Sequence, residues 1–342
     1  METKDYVFIQ ANTRYLLGHQ STDDFYERFC NNREWHGADM AMTTDDVMAL
    51  HRITDEHNVI KKAQGQPFVF CSFHYGPYYH LAMLLNRLGV SCVLSGNAQA
   101  SLKQYLPEGI DYIDSGRPDA GVDFLERLSN GQSVFIMLDG GHIAPQDFIT
   151  RKAFKEVPFL DKTCFVRKGM AYTAWLANVP IVPVIAVRQP DGGIDTTFYA
   201  PVLPEKKVKN MEAFSQEALT TCFSLFEPYI TYDPAQWESW PHWHYFMKLP
   251  EAQTAFPMAR PFFPEYEYGF NTERYGLYQQ DNKYYLADKE SFSGFSISAT
   301  LYEHFRRLKH LPVKGEVLAA LIKPLLIEEL ISKQILIIKH GL

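Results

Sequence analysis

In FCSFHYGPYYHLAMLL, residues 70–85, a strand pattern gives way to a helix pattern within a few residues. PFVFCSF (67–73) is a short apolar run with β propensity. Gly76-Pro77 then makes a turn, and YYHLAMLLNRLG runs as a helix to Gly89. Working outward, the alternation continues. VSCVLSG (90–96) and IDYID (110–114) read as strands, VDFLERLSNG (122–131) as a helix, and SVFIMLDGG (133–141) as a strand running into glycines. GMAYTAWLANV (169–179) is a helix and PIVPVIAVRQ (180–189) a strand, with DTTFYAPV (195–202) returning after the turn at 191–193. Upstream, TTDDVMALHRI (43–53) predicts a helix with Thr43 and Thr44 as cap candidates, and AFSQEALTTCFSLFEPYI (213–230) predicts another. This order implies an α/β fold with a mostly parallel sheet flanked by helices.

Residues 250–264 carry four prolines and no period, and read as a linker. Beyond it, RYGLYQQDNKYYLAD (274–288) predicts a hairpin turning at Asp281-Asn282. Three short helices follow at 298–310, 314–322 and 324–334, and ILIIKHGL closes as a strand. Two or three strands with three helices predict a small winged-helix α+β domain. The expected domains are 1–249, a linker at 250–264, and 265–342.

Composition narrows the function classes. The 342 residues are 46% hydrophobic and 21% charged, enough for a sizeable core and against global disorder. A net charge of −7 argues against nucleic acid as the main partner. Five scattered cysteines without a CxxC pair predict reduced thiols. No signal peptide and no run of ~20 apolar residues is visible, so the expectation is a soluble, cytoplasmic protein, at most touching a membrane peripherally.

Four places can carry chemistry. His74 stands just past a predicted strand end, where α/β proteins keep their sites, and is placed to act as a general base. The turn at Gly76 and the helix start beyond it offer backbone N–H groups to an oxyanion. A packed histidine bound to a carbonyl is the alternative. Asp139 also follows a strand, and Gly140 and Gly141 let the backbone approach a ligand, although Asp-Gly is also a common turn. Arg167 and Lys168 precede Gly169 at a helix entry, where cations hold a phosphate or carboxylate, or form an ordinary solvated pair. Trp237, Trp240, His242, Trp243 and His244 lack the ligands that would complete a metal site, so packing or lining an acyl groove is expected there. No P-loop, no GxGxxG after a strand and no GxSxG elbow occurs.

Strand–His74–turn–helix, then MLDGG, then PFL…Gly169…NVPIVPVIAVR resembles the lysophospholipid acyltransferase superfamily over about residues 60–247, nearest to the late acyltransferases of lipid A synthesis. The resemblance implies an acyl thioester donor and a His-x4-Asp/Glu motif in which the carboxylate orients the base. Here the fifth residue after His74 is Tyr79. Either Tyr79 or another acid, such as Asp139, orients His74, or the chemistry is altered or lost. Arg117 matches an anion-binding Arg of the family, and Arg167 is a second candidate. Residues 268–342 resemble a PqqD-type domain, a winged-helix module that binds leader peptides. Together these imply an acyltransferase using acyl-CoA or an acyl carrier protein as co-substrate, with no metal and no other cofactor. The acceptor would be a hydroxyl or amine of a natural product, or of a peptide held by the C-terminal domain. A degenerate fold that binds a peptide or acyl carrier without turnover is the rival reading.

Overall fold

The computed structural model describes residues 2–19, 22–39, 42–96, 111–139, 153–249 and 261–340. The chain forms two compact units, Asp23–Lys248 and a second made of Met1–Thr22 with Leu249–Leu342. Residues 1–22, which the sequence reading placed in the first domain, thus belong with the C-terminal unit. The cause is long-range. Helix α1 (Lys4–Leu17) buries Val7 and Phe8 against Tyr278 and Ala287. Most of the expected linker, 250–260, lies outside the described residues.

The larger unit runs α2 (Asp23–Asp39), α3 (Thr44–Leu50), β1 (His51–Thr54), α4 (Val59–Ala63), β2 (Val69–Ser72), α5 (His80–Arg87), β3 (Cys92–Gly96) and β4 (Tyr112–Asp114). It continues with α6 (Ala120–Ser129), β5 (Ser133–Met137), β6 (Phe154–Phe159), β7 (Lys162–Arg167), α7 (Gly169–Ala177), β8 (Ile181–Arg188), β9 (Ile194–Phe198) and α8 (Met211–Tyr232). Seven strands form one sheet in the order β1-β9-β8-β2-β5-β3-β4, parallel except where β8 meets β9. This is the predicted α/β architecture. β2 is buried along its whole length and β8 along all but its last residue, as central strands covered on both faces must be.

Three strands of this unit escaped the sequence reading. The helix after Thr43 stops at Leu50, and His51–Thr54 pairs with β9 as an edge strand instead of completing the helix. Thr43 does cap the helix, accepting from the Asp46 N–H at 3.2 Å. The β6–β7 hairpin turns through Leu160 and Asp161, both left-handed at φ 49° and 58°. Left-handed residues suit such a turn, but Leu-Asp lacks the usual Asn-Gly signature.

The smaller unit adds β10 (Glu267–Phe270), β11 (Tyr275–Gln280), β12 (Lys283–Asp288), β13 (Ser293–Ile297), α9 (Ala299–His310), β14 (Val313–Lys314), α10 (Gly315–Leu321), α11 (Pro324–Ser332) and β15 (Leu336–His340). Asp281 and Asn282, at φ 50° and 58°, make the predicted hairpin turn. Six strands in two antiparallel sheets, β14-β10-β15 and β11-β12-β13, replace the two or three expected.

β2 leaves the sheet through a turn that only glycine fits. Gly76 has φ +55°, and a Cβ there would sit 2.5 Å from the Ala186 carbonyl oxygen. Gly169, by contrast, opens α7 with nothing within 4 Å of an added Cβ. Gly76→Ala should therefore cost about 2–4 kcal/mol, from left-handed strain plus overpacking. Gly169→Ala should stay within about 0.5 kcal/mol of wild type. Denaturant melts of the two variants check this contrast.

Candidate active site

β2 and β5 are neighbours, parallel and in register, with Ser72 opposite Met137. His74 and Asp139 each lie two residues past those partners, so they emerge side by side from one edge of the sheet. The His74 Nδ1 is 2.9 Å from Asp139 Oδ1. The His74 backbone N–H also donates to the carboxylate, 2.9 Å from Oδ1 and 3.1 Å from Oδ2. The Asp139 side chain is fully buried, whereas that of His74 is 27% exposed. This is a shielded acid orienting a reachable imidazole.

The tryptophan-rich segment completes the pair. The Trp237 indole N–H donates to Asp139 Oδ2 at 2.5 Å and the Ser239 hydroxyl to the same oxygen at 2.8 Å. The backbone of this segment runs along 74–76. Glu238 N donates to the His74 carbonyl at 2.8 Å, Gly76 N to the Gln236 carbonyl at 3.0 Å, and Tyr75 bridges to Trp237. Trp237, Trp240 and Trp243 are buried among one another and Phe159, Phe223 and Phe226. Of the two expectations for this segment, packing is the one seen for these three rings. Among the described residues, no group of three or more His, Cys, Asp or Glu is placed to hold a metal ion.

Electrostatics follow from the geometry. Burial alone pulls the His74 imidazole down. The Asp139 charge, its hydrogen bond and the Glu238 carboxylate outweigh that, leaving the pKa above the usual 6.5. Burial alone raises Asp139, but the charge and hydrogen bond of His74 and the donation from Trp237 hold it below 3.8.

The other sequence candidates are placed differently. Tyr79 does not orient His74. Its hydroxyl donates to Asp39 Oδ2 at 2.6 Å, and Asp39 also pairs with Arg188. The Gly76 N–H, expected for an oxyanion, is taken by Gln236, and the His80 and Leu81 amides return to Pro77 and Tyr78. Arg117 pairs with Asp119 and Asp123 at the approach to α6. Arg167 lies over the Phe154 ring at 5.8 Å, and Lys168 contacts Tyr172 and Glu212. None of these cations has a hydrogen bond or ion pair to the His74–Asp139 pair among the described residues. Gly140 lies outside the described residues. Sequence reasoning missed Trp237, Glu238 and Ser239 as partners of the pair. The density of Trp and His in 237–247 was the signal available. It also missed a buried His51–His80 contact, with ring nitrogens 3.3 Å apart, which burial holds at pKa values of about 3 and about 4.

Residues 34–244 match the family described as bacterial lipid A biosynthesis acyltransferase. The chain belongs to that family. The acyltransferase reading of the sequence is therefore secure at the level of the family, and the His74–Asp139 pair lies inside the matched region. The chain is also similar to the crystal structure of the 1-acyl-sn-glycerophosphate acyltransferase PlsC from Thermotoga maritima. That likeness has 13% identity and a TM-score of 0.34, covering 65% of this chain and 94% of that one. Comparison with curated protein sequences returns no match. Among the described residues, no helix of this acyltransferase is long and apolar enough to cross a membrane.

The pair gives a pH signature that needs no substrate. His74 has a raised folded pKa, so its stabilisation is full below 6.5 and is lost as pH rises through the folded value. Asp139 has a depressed one, so its stabilisation is full above 3.8 and is lost as pH falls through the folded value. The loss in unfolding free energy on Asp139→Asn should be greatest between about pH 4 and 6.5, reaching ~3–5 kcal/mol. NMR titration should also show the His74 pKa falling in that variant. A pH-independent difference with an unmoved imidazole would contradict the pairing.

Proposed function

We propose that this acyltransferase moves an acyl group from a thioester, acyl-CoA or acyl carrier protein, to a hydroxyl or amine, with His74 as general base. The observation that carries the reading is the 2.9 Å contact from His74 Nδ1 to a fully buried Asp139. With Nδ1 held, Nε2 is the nitrogen left to take the acceptor's proton as it attacks the thioester carbonyl. The same proton then goes to the departing sulfur. No metal or further cofactor is required. The rival binding-only reading draws on Tyr79 standing where an acid belongs, and the Asp139 contact to His74 supports turnover against it.

The acceptor in this reading is a natural product or a peptide, delivered in the cytoplasm by the C-terminal unit acting as a PqqD-like module. A peptide strand added at the edge of the 274–288 hairpin, with α11 in the same unit, is the expected mode. Membrane contact, if any, is peripheral, and nucleic acid is not a partner.

His74→Ala should lower kcat/KM for acyl transfer by ~10²–10⁴-fold. Tyr79→Phe, which removes only the bond to Asp39, should change it less than about threefold. In wild type kcat/KM should fall as pH drops through a value above 6.5, because imidazolium cannot accept a proton. Steady-state rates with a panel of acyl thioesters and acceptors check all three. A Tyr79→Phe defect as deep as that of His74→Ala would return the orienting role to Tyr79.

A further inference from the structure

Glu238 is a second carboxylate beside His74, and its side chain bonds neither His74 nor Asp139. Its side chain is 22% exposed and that of its neighbour His36 is 29% exposed, close to the exposure of His74 itself. The Tyr78 hydroxyl donates to Oε2 at 3.2 Å, and His36 Nδ1 is 3.4 Å from Oε1. The Tyr78 ring meets His74 edge-on at 4.7 Å and His36 at 5.6 Å, while His36 stacks on Tyr79 at 4.0 Å. The negative charge of Asp139 is answered by His74. Among the described residues, no Lys or Arg pairs with Glu238. A carboxylate near the base with no Lys or Arg partner opposes an oxyanion forming beside it. A cation brought by the substrate removes that penalty, and a carboxylate among aromatic rings is the surface that binds an ammonium group.

We propose that Glu238, with Tyr78 and His36 beside it, binds a primary ammonium, so that the acyl acceptor is an amine. This rests on the acyl-transfer reading and narrows its acceptor. The chemistry balances as R–NH₃⁺ plus a thioester giving an amide, a thiol and one proton. The first N–H proton passes to the Glu238 carboxylate, which holds it while the nitrogen attacks and releases it to solvent afterwards. The second passes to His74 as the C–N bond forms, and then to the thiolate as the C–S bond breaks. An alcohol acceptor releases no net proton.

The test compares hexylamine with 1-hexanol as acceptors for decanoyl-CoA on the full chain. The amine should show a KM at least about tenfold below that of the alcohol, with one proton released per amide formed. Glu238→Gln should shrink that ratio by about tenfold or more. Equal KM values in wild type, or a ratio unmoved by Glu238→Gln, would overturn the proposal while leaving acyl transfer standing. Should Glu238→Gln not fold, Tyr78→Phe takes its place, and the wild-type ratio decides without any variant. If neither acceptor is acylated, the acyl-transfer reading is what fails, and calorimetric titration with hexylammonium chloride decides this one. Saturable binding weakened about tenfold by Glu238→Gln supports the subsite; no binding sinks it.

Discussion

The fully buried Asp139 carboxylate is the constraint around which this edge of the sheet is arranged. A lone charge taken out of water costs several kcal/mol, so it persists only if its oxygens are matched by donors. Four groups supply them: the His74 backbone N–H, the His74 ring, the Trp237 indole and the Ser239 hydroxyl. Three of the four come from side chains on two segments far apart in sequence. The carboxylate therefore ties the end of β2, the end of β5 and the segment after α8 into one unit. Its two oxygens divide the work, Oδ1 facing the imidazole and Oδ2 the indole and hydroxyl.

That arrangement explains the aromatic density of residues 237–247. A side-chain hydrogen bond to Asp139 orients it only if the donor is itself immobile. Trp237 is locked because Trp240, Trp243, Phe159 and Phe226 surround it, and because its backbone bridges to Tyr75. Aromatic packing of this kind adds roughly 0.5–1.5 kcal/mol per ring pair beyond burial, and here it also fixes a dipole beside the charge. Gln236 extends the clamp to β8, bonding both the N–H and the carbonyl of Arg188.

Much of this could be read from local pattern, and the rest could not for identifiable reasons. The alternation around residues 67–189 announced the parallel sheet, and two strand ends put His74 and Asp139 forward as a candidate pair, because strand periodicity and exit position are local properties. Trp237 and Ser239 carry no motif. Their role exists only once α8 returns the chain to the sheet. β1 was hidden because His51–Thr54 continues the apolar spacing of α3 and becomes a strand only by pairing with β9. α1 was misplaced because Val7 and Phe8 find their partners some 270 residues away, at Tyr278 and Ala287.

The resemblance to the family led to an acid at position 79, five residues past His74 and just before α5, and the surroundings of Tyr79 show why a neutral donor suits this chain. Asp39 is already buried there, 4% exposed, and is matched by Arg188, which itself lies over the Trp35 ring. A second carboxylate at 79 would set two acids against one guanidinium, and one of them would have to take up a proton. The Tyr79 hydroxyl instead donates to Asp39 and completes its coordination. With the helix position committed to that cluster, the orienting charge has to come from elsewhere within reach of Nδ1. The nearest backbone is the adjacent strand, whose register with β2 sets Asp139 level with His74. An acid on a strand end is held by the sheet itself and cannot swing with the first turn of α5. Moving the acid from helix to strand therefore keeps the dyad and frees the ring of Tyr79 to stack on His36.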